Sequence, residues 1–111
     1  MKHVADQFEK FQEECAENIA RNHEDSLWVE DSQAWLGRAF EHKYMYNFSW
    51  MGRPIIQLPN DILAMQELIW KIKPDIIIET GIAHGGSLIL SASMLSLLDY
   101  CDAIEQGTML D

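Results

Sequence analysis

Asp75-Ile76-Ile77-Ile78-Glu79-Thr80-Gly81-Ile82-Ala83-His84-Gly85-Gly86-Ser87 is the stretch on which the fold reading turns. Three consecutive isoleucines between two acids predict a strand over 75–79, buried on both faces as in a parallel sheet. A tight loop follows over 80–86, and the apolar run after it predicts a helix over about 87–98. Just upstream, Ile62, Met65, Ile69 and Ile72 mark one face of another helix. Asn60 is its expected cap, Asp61 sits in its first turn, Lys71 and Lys73 in its last, and Pro74 stops it. Helix, buried strand, glycine loop, helix is the opening of a doubly wound α/β sheet.

Before this core lies a different kind of chain. Val4, Phe8, Phe11, Cys15 and Ile19 step by three or four and predict an amphipathic helix over about 4–23. Glu9, Glu13 and Glu17 form a like-charge stripe on another face, which water tolerates best. Residues 23–26 break the pattern, and Asp31 or Ser32 is the expected cap of a second helix reaching about 46. The aromatics, Gly52, Pro54 and Pro59 make the next stretch extended or looped. The tail over 99–111 is acidic and without strong period.

Composition removes several classes of function. The chain has 111 residues, of which 8 are Lys or Arg and 18 are Asp or Glu, for a formal charge of -10. Such a chain offers no basic face to nucleic acid and no polybasic anchor to a membrane. No Lys or Arg follows Lys73, so side-chain cations of the C-terminal part cannot hold a polyphosphate. The 19 uncharged residues over 80–98 include three glycines, His84 and four serines, unlike a lipid-spanning helix. Cys15 and Cys101 are too few for a disulfide framework or zinc site, and fit reduced thiols in a cytoplasmic protein.

The loop over 79–87 carries the chemistry. It sits beyond the carboxyl end of the expected strand, where open α/β sheets bind ligands. Its glycines admit positive φ and close backbone approach, and the following helix start offers free N–H groups to an anion. A Walker loop would need Lys after Gly86, where Ser87 stands; a dinucleotide fingerprint would need glycine where Ala83 stands. What remains suits a small ligand bearing a carboxylate and an amine. A tight turn with no ligand is the plain alternative.

Asn47-Phe48-Ser49-Trp50-Met51-Gly52-Arg53-Pro54-Ile55-Ile56-Gln57-Leu58-Pro59-Asn60-Asp61, then Lys73-Pro74-Asp75 and the 79–87 loop, resembles the cephalosporin hydroxylase/rhamnosyl O-methyltransferase family. The resemblance covers about residues 44–98. It implies a Rossmann-like, S-adenosylmethionine-dependent O-methyltransferase rather than an oxygenase. It would place Glu79, Gly81, Gly85 and Ser87 at the methionine end of the cofactor, with Glu79 toward the amino group. His84 is counted with them as cofactor-adjacent, its alternative being a loop histidine facing water. Trp50 and Arg53 belong to the second signature and would border the site, although packing among Phe48, Tyr46 and Tyr44 explains Trp50 equally well. No catalytic residue is assigned. The acceptor implied is a small-molecule hydroxyl, on a sugar or a secondary metabolite. The ribose-binding acid and the carboxylates for a divalent metal such as Mg lie, in the family, beyond residue 111.

One strand cannot make a sheet, and a complete fold of this class needs on the order of 200 residues. The expectation is therefore an apparently truncated enzyme. Residues 1–58 would form a helical and aromatic-loop extension, and 59–111 the first part of a Rossmann-like domain, inactive alone. The lone strand would pair with another copy, giving a homo-oligomer, or stay exposed. A competing reading is a non-catalytic, mostly helical interaction protein that uses this strand to bind a partner or itself. A different Rossmann-like small-molecule binder is the weaker third.

Overall fold

The computed structural model describes residues 2–107. The chain runs α1 (Lys2–Glu24), α2 (Ser26–Glu41), a 3-10 turn (Tyr44–Tyr46), β1 (Phe48–Trp50), β2 (Arg53–Ile55), α3 (Pro59–Ile72) and α4 (Gly86–Glu105). It divides into two compact units, Met1–Glu41 and His42–Asp111. The β1–β2 hairpin thus lies in the second unit with α3 and α4.

In the first unit α1 is amphipathic as expected, yet none of its residues is buried. Val4, Phe8, Phe11 and Ile19 are all exposed. An Lys10–Glu14 pair at 3.9 Å spans one turn of its solvated side. The second helix begins at Ser26, not at Asp31 or Ser32. Asp25 explains the shift: its Oδ1 accepts the N–H of Trp28 at 3.0 Å, capping the helix and drawing Leu27-Trp28-Val29 into it. Ser32 is mid-helix and returns its hydroxyl to the carbonyl of Trp28 at 2.7 Å. The helix stops before 46 because Lys43 adopts a left-handed φ of 53°.

The second unit is built on α4. β1 and β2 pair antiparallel, with Phe48 opposite Ile55, Ser49 opposite Pro54 and Trp50 opposite Arg53. Met51 (φ 48°) and Gly52 (φ 80°) turn the hairpin, both left-handed, as a type I′ loop demands. β1, β2 and α3 all lie against α4. Ile55 and Leu90, each 1% exposed, are the deepest side chains, joined by Met45, Leu58, Ile69 and Ala103. Gly86 permits this packing: a Cβ there would overlap the Pro54 carbonyl and lie 2.8 Å from Ile55 Cβ. Leu58, extended at φ -73°, precedes α3 and Pro59 opens it, so Asn60 lies inside the helix rather than capping it. At the far end Lys73 turns left-handed (φ 50°) and donates its N–H to Ile69 O at 2.8 Å. Its ammonium rests 3.7 Å from the Trp70 ring centroid.

Two expectations fail here. Residues 75–79 join no ladder among the described residues, and the sheet observed there has two strands, β1 and β2. Ile76 is 75% and Ile78 85% exposed, while Ile77 and Glu79 are half-buried. That alternation is how an extended chain looks when one side alone is covered. The strand buried on both faces is overturned, because burial of the second face needs neighbours the described chain does not supply. The α/β content is accordingly mixed and mostly helical, with one antiparallel hairpin.

The second failure concerns the tail. α4 continues past residue 98 to Glu105, with Ala103 buried. Gly107 (φ 67°) follows the helix and donates to Ile104 O at 3.1 Å, a glycine stop. Residues 108–111 of the expected loop lie outside the described residues. By length and composition α4 could cross a membrane, a test that the core helix of a water-soluble fold also passes. Here α4 packs along the hairpin and α3.

Candidate functional site

The 79–87 loop leads from the half-buried end of the isoleucine run into α4. Gly81 (φ 78°), Ala83 (φ 44°) and Gly85 (φ 88°) are all left-handed. Ile82 O accepts the N–H of Gly85 at 2.7 Å, closing a four-residue turn that contains Ala83 and His84. A Cβ on Gly81 or Gly85 would meet nothing within 4 Å, so backbone conformation calls for glycine there. Gly86 differs, since its lack of a side chain is what seats α4 on β2. The sequence had not singled it out; a glycine pair at a helix start, one for turning and one for packing, was the signal available.

Gly85 O accepts the first helical bond, from Ile89 N at 3.0 Å. The N–H groups of Gly86, Ser87 and Leu88 therefore point out of the helix start without an intrahelical acceptor. No side chain caps them.

Glu79 is held from α4. Ser87 Oγ donates to Glu79 Oε1 at 2.6 Å, and Ser91 Oγ donates to the same oxygen at 3.3 Å. Ser91 is the buried member, at 6% exposure. It was missed in the sequence, although Ser87 and Ser91 stand four apart and share a helix face. Glu79 Oε2 is buried with no hydrogen-bond partner, as is Gln57 Oε1.

A concave pocket of about 250 Å³ opens beside the loop, lined by Arg53, Ile82, Ala83, His84, Gly85, Leu88 and Ile89. The fold thus brings His84 and Gly85 together with Arg53 in one concavity. Glu79 and Ser87 form a separate hydrogen-bonded pair, and Gly81 lies exposed in the loop between. His84 is exposed. Trp50 does not line the pocket: its Nε1 donates to Ser93 Oγ at 3.1 Å, a packing tie between β1 and α4. Tyr44 and Phe48 meet edge to face beside it along the chain, with centroids 5.1 Å apart. Among the described residues no three His, Cys, Asp or Glu side chains converge as a metal site.

Residues 42–108 match the model of one family, Rhamnosyl O-methyltransferase/CmcI. The match takes in the hairpin, α3, the glycine loop and α4. Neither a curated protein nor a solved structure matches the chain significantly.

Proposed function

Because the chain belongs to the rhamnosyl O-methyltransferase/CmcI family, we propose that its 79–87 loop holds the methionine end of S-adenosylmethionine in an O-methyltransferase. The observation that carries this reading is the orphaned Oε2 of Glu79. A buried carboxylate oxygen without a donor is costly, and a ligand ammonium supplies both the donor and the opposite charge. Ser87 and Ser91 occupy Oε1, so the carboxylate is oriented with its other oxygen free. The outward N–H groups at the start of α4 suit the ligand carboxylate. Bound there, S-adenosylmethionine supplies an electrophilic methyl group on sulfonium.

What a protein adds to such a transfer is alignment of the acceptor oxygen and an outlet for its proton. His84, at the pocket rim, is the residue of this loop besides Glu79 able to exchange a proton, and the acceptor we favour is a sugar or secondary-metabolite hydroxyl. The described residues do not fit a metal set, and no step is assigned to a divalent ion. Residues 76–78 join no ladder among the described residues, and we expect no turnover from these 111 residues by themselves.

Calorimetric titration with S-adenosylhomocysteine tests the binding claim. Saturable binding that weakens about tenfold or more in Glu79→Gln is the expected result, the scale of a charge-assisted hydrogen bond. Undiminished affinity in that variant sinks the assignment of Oε2. A second reading has its own observation in the exposure of Ile76 and Ile78: a non-catalytic protein that binds a partner through this segment. No cofactor binding, together with self-association abolished by Ile78→Lys, favours that reading instead.

A further inference from the structure

α1 is a helix of 23 residues none of which is buried, although helices in proteins owe most of their stability to an apolar face packed on something. It also bears the repulsion of Glu9, Glu13 and Glu17, one turn apart. The apolar face has a period of its own. Val4, Phe8, Phe11, Cys15, Asn18 and Asn22 step by four and three in strict alternation, a repeat of 3.5 residues. That repeat is the seam of two helices wound about each other, with Phe8, Cys15 and Asn22 at a and Val4, Phe11 and Asn18 at d. Val4, Phe8 and Phe11 are exposed and Cys15 is half-buried. Val4, Gln7, Phe8 and Phe11 outline a concavity of about 330 Å³. Four residues so placed form the hole that receives a side chain of a facing helix.

The charges of α1 say which helix fits. Asp6, Glu9, Lys10, Glu13, Glu17 and Glu24 all fall at b, c and f, away from the seam. Between residues 4 and 24 the seam is flanked by uncharged Ala5, Gln12 and Ile19 at e, and by Gln7, Glu14 and Arg21 at g. Glu14 is drawn outward by Lys10, at 3.9 Å. We propose that α1 forms a parallel, in-register two-stranded coiled coil with the α1 of a second copy of this chain. In that register Gln7 meets the partner's Gln12 and Glu14 meets the partner's Ile19, so an acidic chain can pair with itself without setting like charges at the flanks. The two-fold axis stacks Phe8, Phe11 and Cys15 each on its own copy, and pairs Asn22 amide to amide, which fixes register at some cost in strength. Asn18 Oδ1 is already engaged by Arg21 Nη2 at 3.0 Å. An antiparallel match of the same apolar residues would overlap 4–15 alone and leave both asparagines outside. This interface is independent of the 76–78 segment.

The test uses the full chain carrying Cys101→Ser, so that Cys15 is its one thiol. Sedimentation equilibrium should show a monomer–dimer exchange. Phe11→Asp should raise the dissociation constant at least about a hundredfold, since a ring is lost from each helix. Glu13→Gln, on the outer face, and Ile78→Lys should leave it within about twofold, and Asn22→Leu should tighten it. A bismaleimide with a two-carbon spacer should join Cys15 to the partner's Cys15 in the parent and not in Phe11→Asp. In the antiparallel match the two thiols would stand about 16 Å apart along the axis, beyond that reagent. A chain that stays monomeric at every concentration overturns the proposal, as does a dimer indifferent to Phe11→Asp. A dimer that Phe11→Asp dissolves but that gives no Cys15 cross-link overturns the parallel register.

Discussion

Trp50 and Ser93 join the hairpin to α4 through a single hydrogen bond, indole Nε1 to hydroxyl Oγ at 3.1 Å. Ser93 also donates its proton to Ile89 O at 2.7 Å, so the hydroxyl both gives and accepts. Ser93→Ala would leave a half-buried indole N–H without its acceptor, at a cost of about 1–2 kcal/mol. Trp50→Phe removes the donor, leaves the Ser93–Ile89 bond intact, and loses some ring packing. A double-mutant cycle by urea unfolding should return a coupling of about 1 kcal/mol. Additive effects would mean that the bond contributes nothing.

Gly85 and Gly86 are neighbours with different reasons for being glycine, and stability measurements can separate them. Gly85→Ala places a side chain in open space at φ 88°, so its cost is conformational, about 1–2 kcal/mol. Gly86→Ala drives a methyl into Pro54 and Ile55 backbone and Cβ atoms that cannot swing away. Its cost is overpacking, up to about 3 kcal/mol, and the hairpin must lift from α4. Thermal unfolding should rank Gly86→Ala below Gly85→Ala. The reverse order would contradict the close approach of α4 to β2.

Met51 occupies the first left-handed position of the hairpin turn at φ 48°, and its side chain is 82% exposed. Nothing in its packing compensates the backbone strain. Asn-Gly is the favoured pair for this turn, so Met51→Asn should stabilise the chain by up to about 1 kcal/mol. A raised unfolding midpoint is the expected result. A lowered one would show that Met51 makes a contact worth more than the strain.

How far the sequence could be read depended on the range of the interactions involved. The amphipathic α1, the body of α3 and the glycine turn into α4 were legible, because spacing and local backbone preference determine them. Boundaries went astray where one side chain decided them: Asp25 caps α2, and Pro59 takes the first helical position that lets Asn60 fall inside. Composition near 99–105 read as acidic tail, yet Leu98 and Cys101 are half-buried and Ala103 is buried, and the helix runs on to Glu105 before the Gly107 stop. The isoleucine run was read as buried from its residue types alone, and burial is a property of neighbours. Of the site, the loop and Glu79 were visible in sequence. Arg53 was placed beside it by the family signature, whereas Ser91 and Gly86 were not singled out, since their roles depend on how the loop and the hairpin sit on α4.

Ile78, at 85% exposure, gives the open edge its clearest test. Substituting an exposed side chain that contacts little should move stability by no more than about 0.5 kcal/mol, so Ile78→Lys should unfold with the parent chain. Ile77, half-buried on the other side of the segment, should cost distinctly more when changed to Lys. An unpaired apolar segment is also a template for association, which a lysine blocks. Asp75 and Glu79 bracket it with like charges, and pairing two copies antiparallel about Ile77 would set acid against acid. Any self-association through this segment should therefore be weak, strengthen at high salt as that repulsion is screened, and disappear in Ile78→Lys. Sedimentation velocity across salt concentrations reads all three. Tight association at low salt that survives Ile78→Lys would place the interface elsewhere, and strong destabilisation by that substitution would show Ile78 to be buried.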